Sequence, residues 1–343
     1  MPKKKVAING FGRIGRLFFR QAFGRAEFDI VAINDLGSVA NLAYLLKHDS
    51  VYGKYGQEVV VDETARTFTI NGQVVQFLNE KDPATLPWGK MGIDLVIEST
   101  GFFESFAKSN AHITAGAKHV LLTAPAKDDD GTNEGGTILM GVNDDKLKSC
   151  KITSNASCTT NSASPVMKIL EEGIGVKKAI LGTIHAMTTT QSLIDAPVRD
   201  GTDYRRGRAG SFNIVPSTTG AAIAVSRAVP SLAKKFDGVA YRVPINTGSL
   251  SDITFVASRP TTVEEINEIF KKAEADPRWR GIMKTSSEQL VSSDIIGEPF
   301  GAIVDLSFTK VVDGDLVKVL SWYDNEWGYT ATLLMHALKA LAV

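Results

Sequence analysis

The pattern of apolar and polar residues in the first half of the chain alternates between short strands and helices. Apolar runs at 6–8 and 28–33 predict two strands, and the 3.6-residue spacing over 14–23 predicts a helix between them. Runs at 93–98 and 120–122 predict two more strands, again with a helical segment between them. This βαβ rhythm is typical of a doubly wound α/β fold with a parallel sheet.

The second half has longer strand patterns. Apolar and polar residues alternate over 178–190, 239–243, 251–259, 302–310 and 316–323, whereas 162–171, 263–274 and 328–341 have helical spacing. Long strands with few helices between them predict an α+β domain built on a mixed or antiparallel sheet.

Composition narrows the class of protein. The 343 residues are 43% hydrophobic, which suits about two soluble globular domains. Lys plus Arg equals Asp plus Glu, at 38 each, so no net charge attracts the chain to nucleic acid or membranes. No apolar run is long enough for a membrane helix, and no signal peptide follows the lysines at 3–5. Two cysteines exclude a disulfide scaffold and favour a cytoplasmic location.

A glycine-rich turn follows the first predicted strand. Gly10, Gly12 and Gly15 form a GxGxxG motif between that strand and the helix, and Asp35 ends the next strand. Such a turn lets the backbone approach a pyrophosphate, and the carboxylate accepts hydrogen bonds from ribose hydroxyls. We therefore predict NAD as cofactor, with NADP disfavoured by the charge of Asp35. The alternatives are a turn without a ligand and a carboxylate that only caps a helix.

A nucleophilic cysteine is the second candidate feature. Cys158 precedes a predicted helix, whose dipole would lower the pKa of the thiol, and His185 in a predicted strand is the leading candidate for its base. From spacing alone the pairing stays open, because each residue could simply be buried in a core. Cys150 and Cys158 do not have zinc-knuckle spacing, so no metal is expected. The remaining histidines lie in segments predicted as helix or helix end without a polar cluster: His48, His112, His119 and His336.

Four motifs carry a resemblance to a known family. The segments NGFGRIGR, SNASCTTN, STTGAA at 217–222 and WYDNEWG at 322–328 resemble glyceraldehyde-3-phosphate dehydrogenases and the related erythrose-4-phosphate dehydrogenases. The resemblance implies a Rossmann domain at 1–157, completed by a helix at 324–343, and a catalytic domain at 158–323. It also implies a homotetramer.

The resemblance further implies a reaction. Cys158 would attack the aldehyde of D-glyceraldehyde 3-phosphate, and His185 would accept a proton while hydride passes to NAD. Inorganic phosphate would then cleave the thioester to give 1,3-bisphosphoglycerate, as in glycolysis and gluconeogenesis. Erythrose 4-phosphate is the alternative substrate. The alternative outside the enzymes is a catalytically silent protein that binds a dinucleotide or nucleic acid. Such a protein would need neither Cys158 nor His185.

The other site residues follow from the same resemblance. The expected cofactor-binding residues are Gly10, Gly12, Arg13, Ile14, Gly15, Asp35, Lys81, Thr123 and Asn325. The residues expected to hold the substrate phosphate are Thr188, Thr190 and Arg242, and those expected to hold inorganic phosphate are Ser157, Thr159, Thr219 and Gly220.

The sequence departs from the family pattern at several positions. Ser162 stands where a second cysteine is usual, and Ala196 stands where NAD-specific members often carry a larger apolar residue, which leaves some use of NADP open. The segment 246–249 is also unusual, which weakens the substrate assignment. The loop 195–210, with four arginines, is expected to be a solvated surface or to lie beside a neighbouring subunit.

Overall fold

The computed structural model describes residues 3–198 and 201–343, and contacts among them define two compact units. The first unit comprises Met1–Ile138, Asp144–Ala156 and Leu333–Val343, and the second comprises Leu139–Asn143 and Ser157–Thr332. Compactness alone does not show that a unit folds by itself, so the domain ranges given above stay a prediction.

The first unit contains eleven described strands and four complete helices. The strands are β1 (Lys4–Asn9), β2 (Phe28–Asn34), β3 (His48–Asp49), β4 (Gly53–Lys54), β5 (Val60–Asp62), β6 (Thr67–Ile70), β7 (Gln73–Leu78), β8 (Leu95–Glu98), β9 (His119–Leu122), β10 (Gly135–Thr137) and β11 (Ile152–Ser154). The helices are α1 (Arg13–Ala22), α2 (Val39–Lys47), α3 (Trp88–Met91) and α4 (Phe106–Thr114).

Nine of these strands form one sheet in the order β10-β11-β9-β8-β1-β2-β7-β6-β5. Pairing is parallel from β10 to β7, and only β6 and β5 run antiparallel to their neighbours. The chain first extends the sheet from β1 towards β2 and later from β1 towards β8. In open α/β sheets such a reversal creates a crevice at the carboxyl ends of the strands, where ligands bind.

Aromatic side chains fill one side of this sheet. The ring of Phe11 meets those of Phe19 and Phe77 edge to face, with centroids 5.6 and 5.9 Å apart. Leu333 and Ala337, from the C-terminal helix, are buried in the same cluster. The glycine turn, through Phe11, and helix α1, through Phe19, are therefore anchored in the core.

The second unit has seven described strands, all in one sheet, and three complete helices. Its elements are α5 (Cys158–Gly173), β12 (Val176–His185), β13 (Val215–Thr218), α6 (Ala221–Ala228), β14 (Phe236–Arg242), β15 (Ser249–Ala257), α7 (Val263–Ala275), β16 (Met283–Ser286), β17 (Ala302–Val312) and β18 (Leu316–Tyr323). The last helix, α8 (Trp327–Ala342), begins in this unit and continues into the first. The strand order is β13-β14-β12-β15-β18-β17-β16, with parallel pairs only at β12–β14 and β16–β17.

The fold class predicted from the sequence is confirmed: a doubly wound parallel sheet and a second, mixed sheet. Individual elements differ. His48 was predicted to lie in a helix or helix end without stated bounds, and the structure places it directly after the helix Val39–Lys47, which Ser38 caps by accepting a hydrogen bond from the Asn41 N–H. The predicted strand 178–190 ends at His185, and α5 begins at Cys158 rather than at 162. In the described part of the chain, no helix combines the length and apolarity that a membrane crossing requires.

Candidate active site

The glycine turn between β1 and α1 leaves no room for larger residues at two positions. Gly10 has φ +94°, and a Cβ there would lie 2.7 Å from the backbone of Ser99. A Cβ at Gly15 would lie 2.1 Å from the carbonyl oxygen of Gly10. Glycine at these positions therefore permits the tight turn and the close packing of α1 on it.

A cavity of about 390 Å³ opens at the carboxyl ends of β1, β2 and β8 in the first unit, a size in the usual range of ligand sites. Its lining residues are Asn9, Gly10, Gly12, Asn34, Asp35, Leu36, Glu80, Lys81, Ser99, Thr100, Phe102 and Phe103. Four of the predicted cofactor residues are among them. The other five do not line it: Arg13, Ile14 and Gly15 begin α1, Thr123 follows β9, and Asn325 belongs to the second unit.

Asp35 uses both carboxylate oxygens to hold the backbone around this cavity. Oδ2 accepts a hydrogen bond from the Phe11 N–H at 2.7 Å, and Oδ1 accepts one from the Gly37 N–H at 2.8 Å. A carboxylate has about four acceptor positions, so Asp35 retains capacity for hydroxyl donors. The residue thus orders the glycine turn in addition to the role predicted for it.

In the second unit, the ends of two elements bring Cys158 and His185 together. Ser157 caps α5 by accepting a hydrogen bond from the Thr160 N–H, which places Cys158 in the first turn of the helix. His185 is the last residue of β12. The distance from Cys158 Sγ to His185 Nε2 is 3.3 Å, within hydrogen-bonding range for sulfur.

His185 Nδ1 lies between two groups of opposite hydrogen-bonding character. The carbonyl oxygen of Ala186, which only accepts, is 2.7 Å away. Arg242 Nη1, which only donates, is 2.5 Å from Nδ1 and also donates to that oxygen at 3.2 Å. The first contact favours a proton on Nδ1 and the second favours a proton on Nε2. General-base action on Cys158 uses the tautomer with the proton on Nδ1, whose Nε2 lone pair faces the thiol.

Burial dominates the protonation of both groups. It raises the pKa of the Cys158 thiol, although the Arg242 guanidinium and the Thr159 N–H act in the opposite direction. Burial, reinforced by Arg242, lowers the pKa of His185 to about 3. The direction for Cys158 is the reverse of the one predicted from the helix terminus alone, because the helix terminus was considered without its buried setting. The arrangement is a neutral thiol facing a neutral base, through which a proton can move.

Tyr323 supports this pair and was not among the predicted site residues. Its buried hydroxyl bonds the hydroxyls of Thr159 at 2.9 Å and Thr183 at 2.8 Å, and its ring meets that of His185 edge to face. Tyr323 therefore ties the first turn of α5 to β12. The alternation of buried positions in β18 marks Tyr323 as a core residue, but no sequence signal shows which hydroxyls it meets.

The predicted phosphate-binding residues lie at four places, and one of these is the end of β14, where Arg242 stands. Thr188 and Thr190 follow β12, with their hydroxyl oxygens 2.9 Å apart. Ser157 and Thr159 lie at the start of α5, and the hydroxyl of Thr159 is turned inward to Tyr323. The other predicted residues, Thr219 and Gly220, directly precede α6, which packs against α5.

An arginine of the loop 195–210 joins this region. Arg206 donates to the Ser217 hydroxyl through Nε at 3.3 Å and Nη2 at 3.0 Å, and its charge lowers the pKa of Arg242, after the larger effect of burial. Arg206 therefore contacts a residue of its own chain, whereas the loop was expected either to be a solvated surface or to lie beside a neighbouring subunit. Arg199, in the same loop, lies outside the described residues.

Asn325 explains the unusual segment 246–249. Its carbonyl oxygen accepts hydrogen bonds from the hydroxyls of Ser249 at 2.8 Å and Thr247 at 3.2 Å, which directs the amide nitrogen away from both. The Ser249 hydroxyl also accepts a hydrogen bond from the Ala186 N–H at 3.1 Å. Ser249 thus links Asn325 to the residue after His185.

Two other histidines do belong to polar clusters, contrary to the prediction. His112 Nε2 lies 3.0 Å from Glu98, and His336 Nδ1 lies 3.1 Å from the Asn155 carbonyl oxygen. Both rings are completely buried. The sequence pattern placed these residues in segments predicted as helix or helix end, but it did not show which polar groups they meet.

Comparison with known proteins identifies the family of the chain. The family model "Glyceraldehyde 3-phosphate dehydrogenase, NAD binding domain" matches residues 4–106, and the corresponding C-terminal domain model matches 157–325. The chain is 46% identical over 333 residues to glyceraldehyde-3-phosphate dehydrogenase of Streptomyces coelicolor, covering 96% of each protein. It is likewise 46% identical to the protein of that name from Mycobacterium avium over 337 residues, with the same coverage. The chain therefore belongs to the glyceraldehyde-3-phosphate dehydrogenase family of nicotinamide-dependent oxidoreductases.

Proposed function

We propose that this chain oxidises D-glyceraldehyde 3-phosphate with NAD and inorganic phosphate, giving 1,3-bisphosphoglycerate in the cytoplasm. The observation that carries the proposal is the 3.3 Å approach of Cys158 Sγ to His185 Nε2 at the start of α5. Family membership supports the same reaction. The two free cysteines suit a reducing compartment.

The residues of the first unit fit a nicotinamide dinucleotide. Leu36 and Phe102, 61% and 77% exposed, give the cavity apolar surface suited to a purine ring, and the carboxylate of Asp35 suits ribose hydroxyls. The same charge would repel a 2′-phosphate, which favours NAD over NADP. When bound, NAD accepts a hydride.

The chemistry begins at the thiol. As Cys158 Sγ forms a bond to the aldehyde carbon, the thiol proton passes through Nε2 of His185 to the carbonyl oxygen, which becomes the hydroxyl of the thiohemiacetal. His185 then takes the hydroxyl proton of the thiohemiacetal while hydride leaves the same carbon. The product is a thioester on Cys158. The main-chain N–H groups at the start of α5 suit stabilisation of the developing oxyanion.

Phosphate completes the reaction by attacking the thioester carbon, and the thiolate of Cys158 leaves. We assign the substrate phosphate to Thr188, Thr190 and Arg242, as the resemblance implies. We assign inorganic phosphate to four residues at or just before the starts of α5 and α6, namely Ser157, Thr159, Thr219 and Gly220. Arg206 adds a second guanidinium beside this region.

We further propose that the protein assembles as a homotetramer. Four apolar side chains in the described part of 193–214 are 70–86% exposed: Leu193, Ile194, Phe212 and Ile214. A cluster of large exposed apolar residues marks a surface that a partner covers. A second copy of the chain is the partner that the family implies.

Mass spectrometry of the protein incubated with aldehyde and NAD but without phosphate tests the reaction. We expect a glyceroyl-phosphate adduct on Cys158 that disappears when phosphate is added, and no adduct on Cys150. Parallel incubations with erythrose 4-phosphate test the alternative substrate. An unmodified Cys158, or turnover that does not depend on phosphate, would contradict the proposal.

A further inference from the structure

A buried carboxylate lies beneath the nucleotide cavity of the first unit and has no part in the chemistry above. Glu98, the last residue of β8, is 4% exposed and is surrounded by four hydrogen-bond donors. Oε1 accepts from the backbone N–H of Thr100 at 2.8 Å and from its hydroxyl at 2.5 Å. Oε2 accepts from Asn9 Nδ2 at 2.5 Å and lies 3.0 Å from His112 Nε2.

The histidine branch of this network can point in only one direction. Trp88 Nε1–H donates to His112 Nδ1 at 3.0 Å, and indole nitrogen is only a donor. His112 Nδ1 is therefore the acceptor, so its proton is on Nε2 and is donated to Glu98. The opposite tautomer would place two N–H groups face to face.

The asparagine branch is fixed in the same way. Asn34 Nδ2 donates to Asn9 Oδ1 at 2.7 Å, and the Glu80 backbone N–H donates to Asn34 Oδ1 at 2.8 Å. A backbone N–H cannot be reversed, so it determines the orientation of Asn34, which determines that of Asn9. Asn9 must therefore present its NH₂ group to Glu98.

Both branches end in groups that only donate, and both converge on one side chain. Only a side chain that has no hydrogen-bond donor can accept from both branches. A glutamine at position 98 would place its own NH₂ group against the N–H group of at least one neighbour. The residues whose positions depend on this network also form the wall of the cavity: Asn9, Asn34, Glu80 and Thr100.

We propose that Glu98 is a positioning residue of the nucleotide site: as the acceptor on which both branches converge, it holds Asn9, Asn34 and Thr100 in place in the cavity wall. This inference rests on the proposed use of the cavity for the adenosine half of the cofactor. The proposed role depends on the carboxylate having no hydrogen-bond donor, and it does not require Glu98 to contact the nucleotide.

Glu98→Gln tests the inference because it preserves shape and introduces donors. If the new amide turns its oxygen to Thr100, its NH₂ group meets the donors of Asn9 and His112. Reorienting Asn9 then forces Asn34 against the Glu80 N–H. We expect binding of ADP-ribose, measured by isothermal titration calorimetry, to weaken about tenfold, the cost of one unsatisfied buried polar group.

The double variant Asn9→Asp with Glu98→Gln exchanges the amide and the carboxylate. The introduced carboxylate would accept from the introduced amide, from Asn34 and from His112 Nε2, which lies 3.3 Å from the present Asn9 nitrogen. The number of charges is unchanged and every donor again has an acceptor. We expect affinity to return to within about threefold of wild type, which a general loss of stability in the single variant would not predict.

Glu104→Gln is the matched control, because Glu104 is partly exposed, pairs with Lys127 and does not line the cavity. It should change ADP-ribose affinity less than about twofold. A Glu98→Gln protein with wild-type affinity, or a folded double variant as weak as the single one, would overturn the inference. A wild-type protein that does not bind ADP-ribose would instead overturn the proposed cofactor site on which the inference rests.

Discussion

The two units each place a buried imidazole against an ionisable partner, and the two pairs differ in what the proton can do. In the first unit, His112 accepts from Trp88 and donates to Glu98, so both ring nitrogens are committed. In the second unit, Nδ1 of His185 contacts Ala186 and Arg242, while Nε2 faces a thiol that can release its proton. The same ring is structural in one place and suited to catalysis in the other because of what its partner can donate.

Replacing the thiol breaks this comparison most severely. Cys158→Ser should lower kcat about ten-thousand-fold, because the serine hydroxyl is a far weaker nucleophile beside the same base. Cofactor affinity should stay close to wild type. Steady-state rates and calorimetry measure the two effects separately.

Cys150→Ser is the matched control, since Cys150 lies in the first unit and His185 in the second. It should keep nearly full activity. If Cys158→Ser retained most of its turnover, the nucleophile would have been assigned wrongly.

A second test concerns Asp35, which resembles Glu98 in being a carboxylate that holds donors in place. Asp35→Gly should reduce the preference for NAD over NADP about tenfold, because the charge that repels a 2′-phosphate is removed. It should also weaken NAD binding itself, since the Phe11 and Gly37 N–H groups lose their acceptor. The ratio of kcat/KM for the two cofactors is the measurement, and an unchanged ratio would remove the role proposed for Asp35.

The smallest expected effect is on the free energy of unfolding at acidic pH, and it comes from a third buried histidine, His336. Burial lowers the pKa of His336 to about 3, and its Nε2 has no hydrogen-bond partner among the described residues. The unfolded chain binds a proton near pH 6.5 whereas the native ring does not, so protons favour the unfolded state. The stabilisation is complete above about pH 6.5 and is lost as the pH falls towards 3.

His336→Gln keeps a donor for Asn155 and removes this titration. The free energy of unfolding in urea should fall less steeply on acidification from about pH 6 to 4, by about 1.4 kcal/mol per pH unit. His48→Gln, which removes an exposed ring, is the matched control for the loss of an imidazole. Equal slopes for wild type and His336→Gln would show that His336 does not stay neutral in the native protein.

Local chemistry explains which parts of the site could be anticipated. Gly10 and Gly15 need only the turn between β1 and α1, and Cys158 needs only the helix that Ser157 caps, so neighbours along the chain are sufficient to suggest them. The pairing of Cys158 with His185 could not be derived in this way, because 27 residues separate the two and only the packing of α5 on the second sheet brings them together. Tyr323 and Ser249 could not be identified from the sequence for the same reason, because each forms hydrogen bonds with residues that are distant along the chain.

The sequence by itself determined the alternation of strands and helices, the glycine turn and the position of a cysteine at the start of a helix, since periodicity and capping are properties of adjacent residues. The tertiary structure alone decided which nitrogen of His185 faces Cys158, that burial rather than the helix terminus dominates the pKa of that thiol, and that Glu98 receives four donors. Hydrogen-bond direction and desolvation depend on groups brought together from distant parts of the chain. No pattern of neighbouring residues in the sequence indicates which of these groups will be in contact.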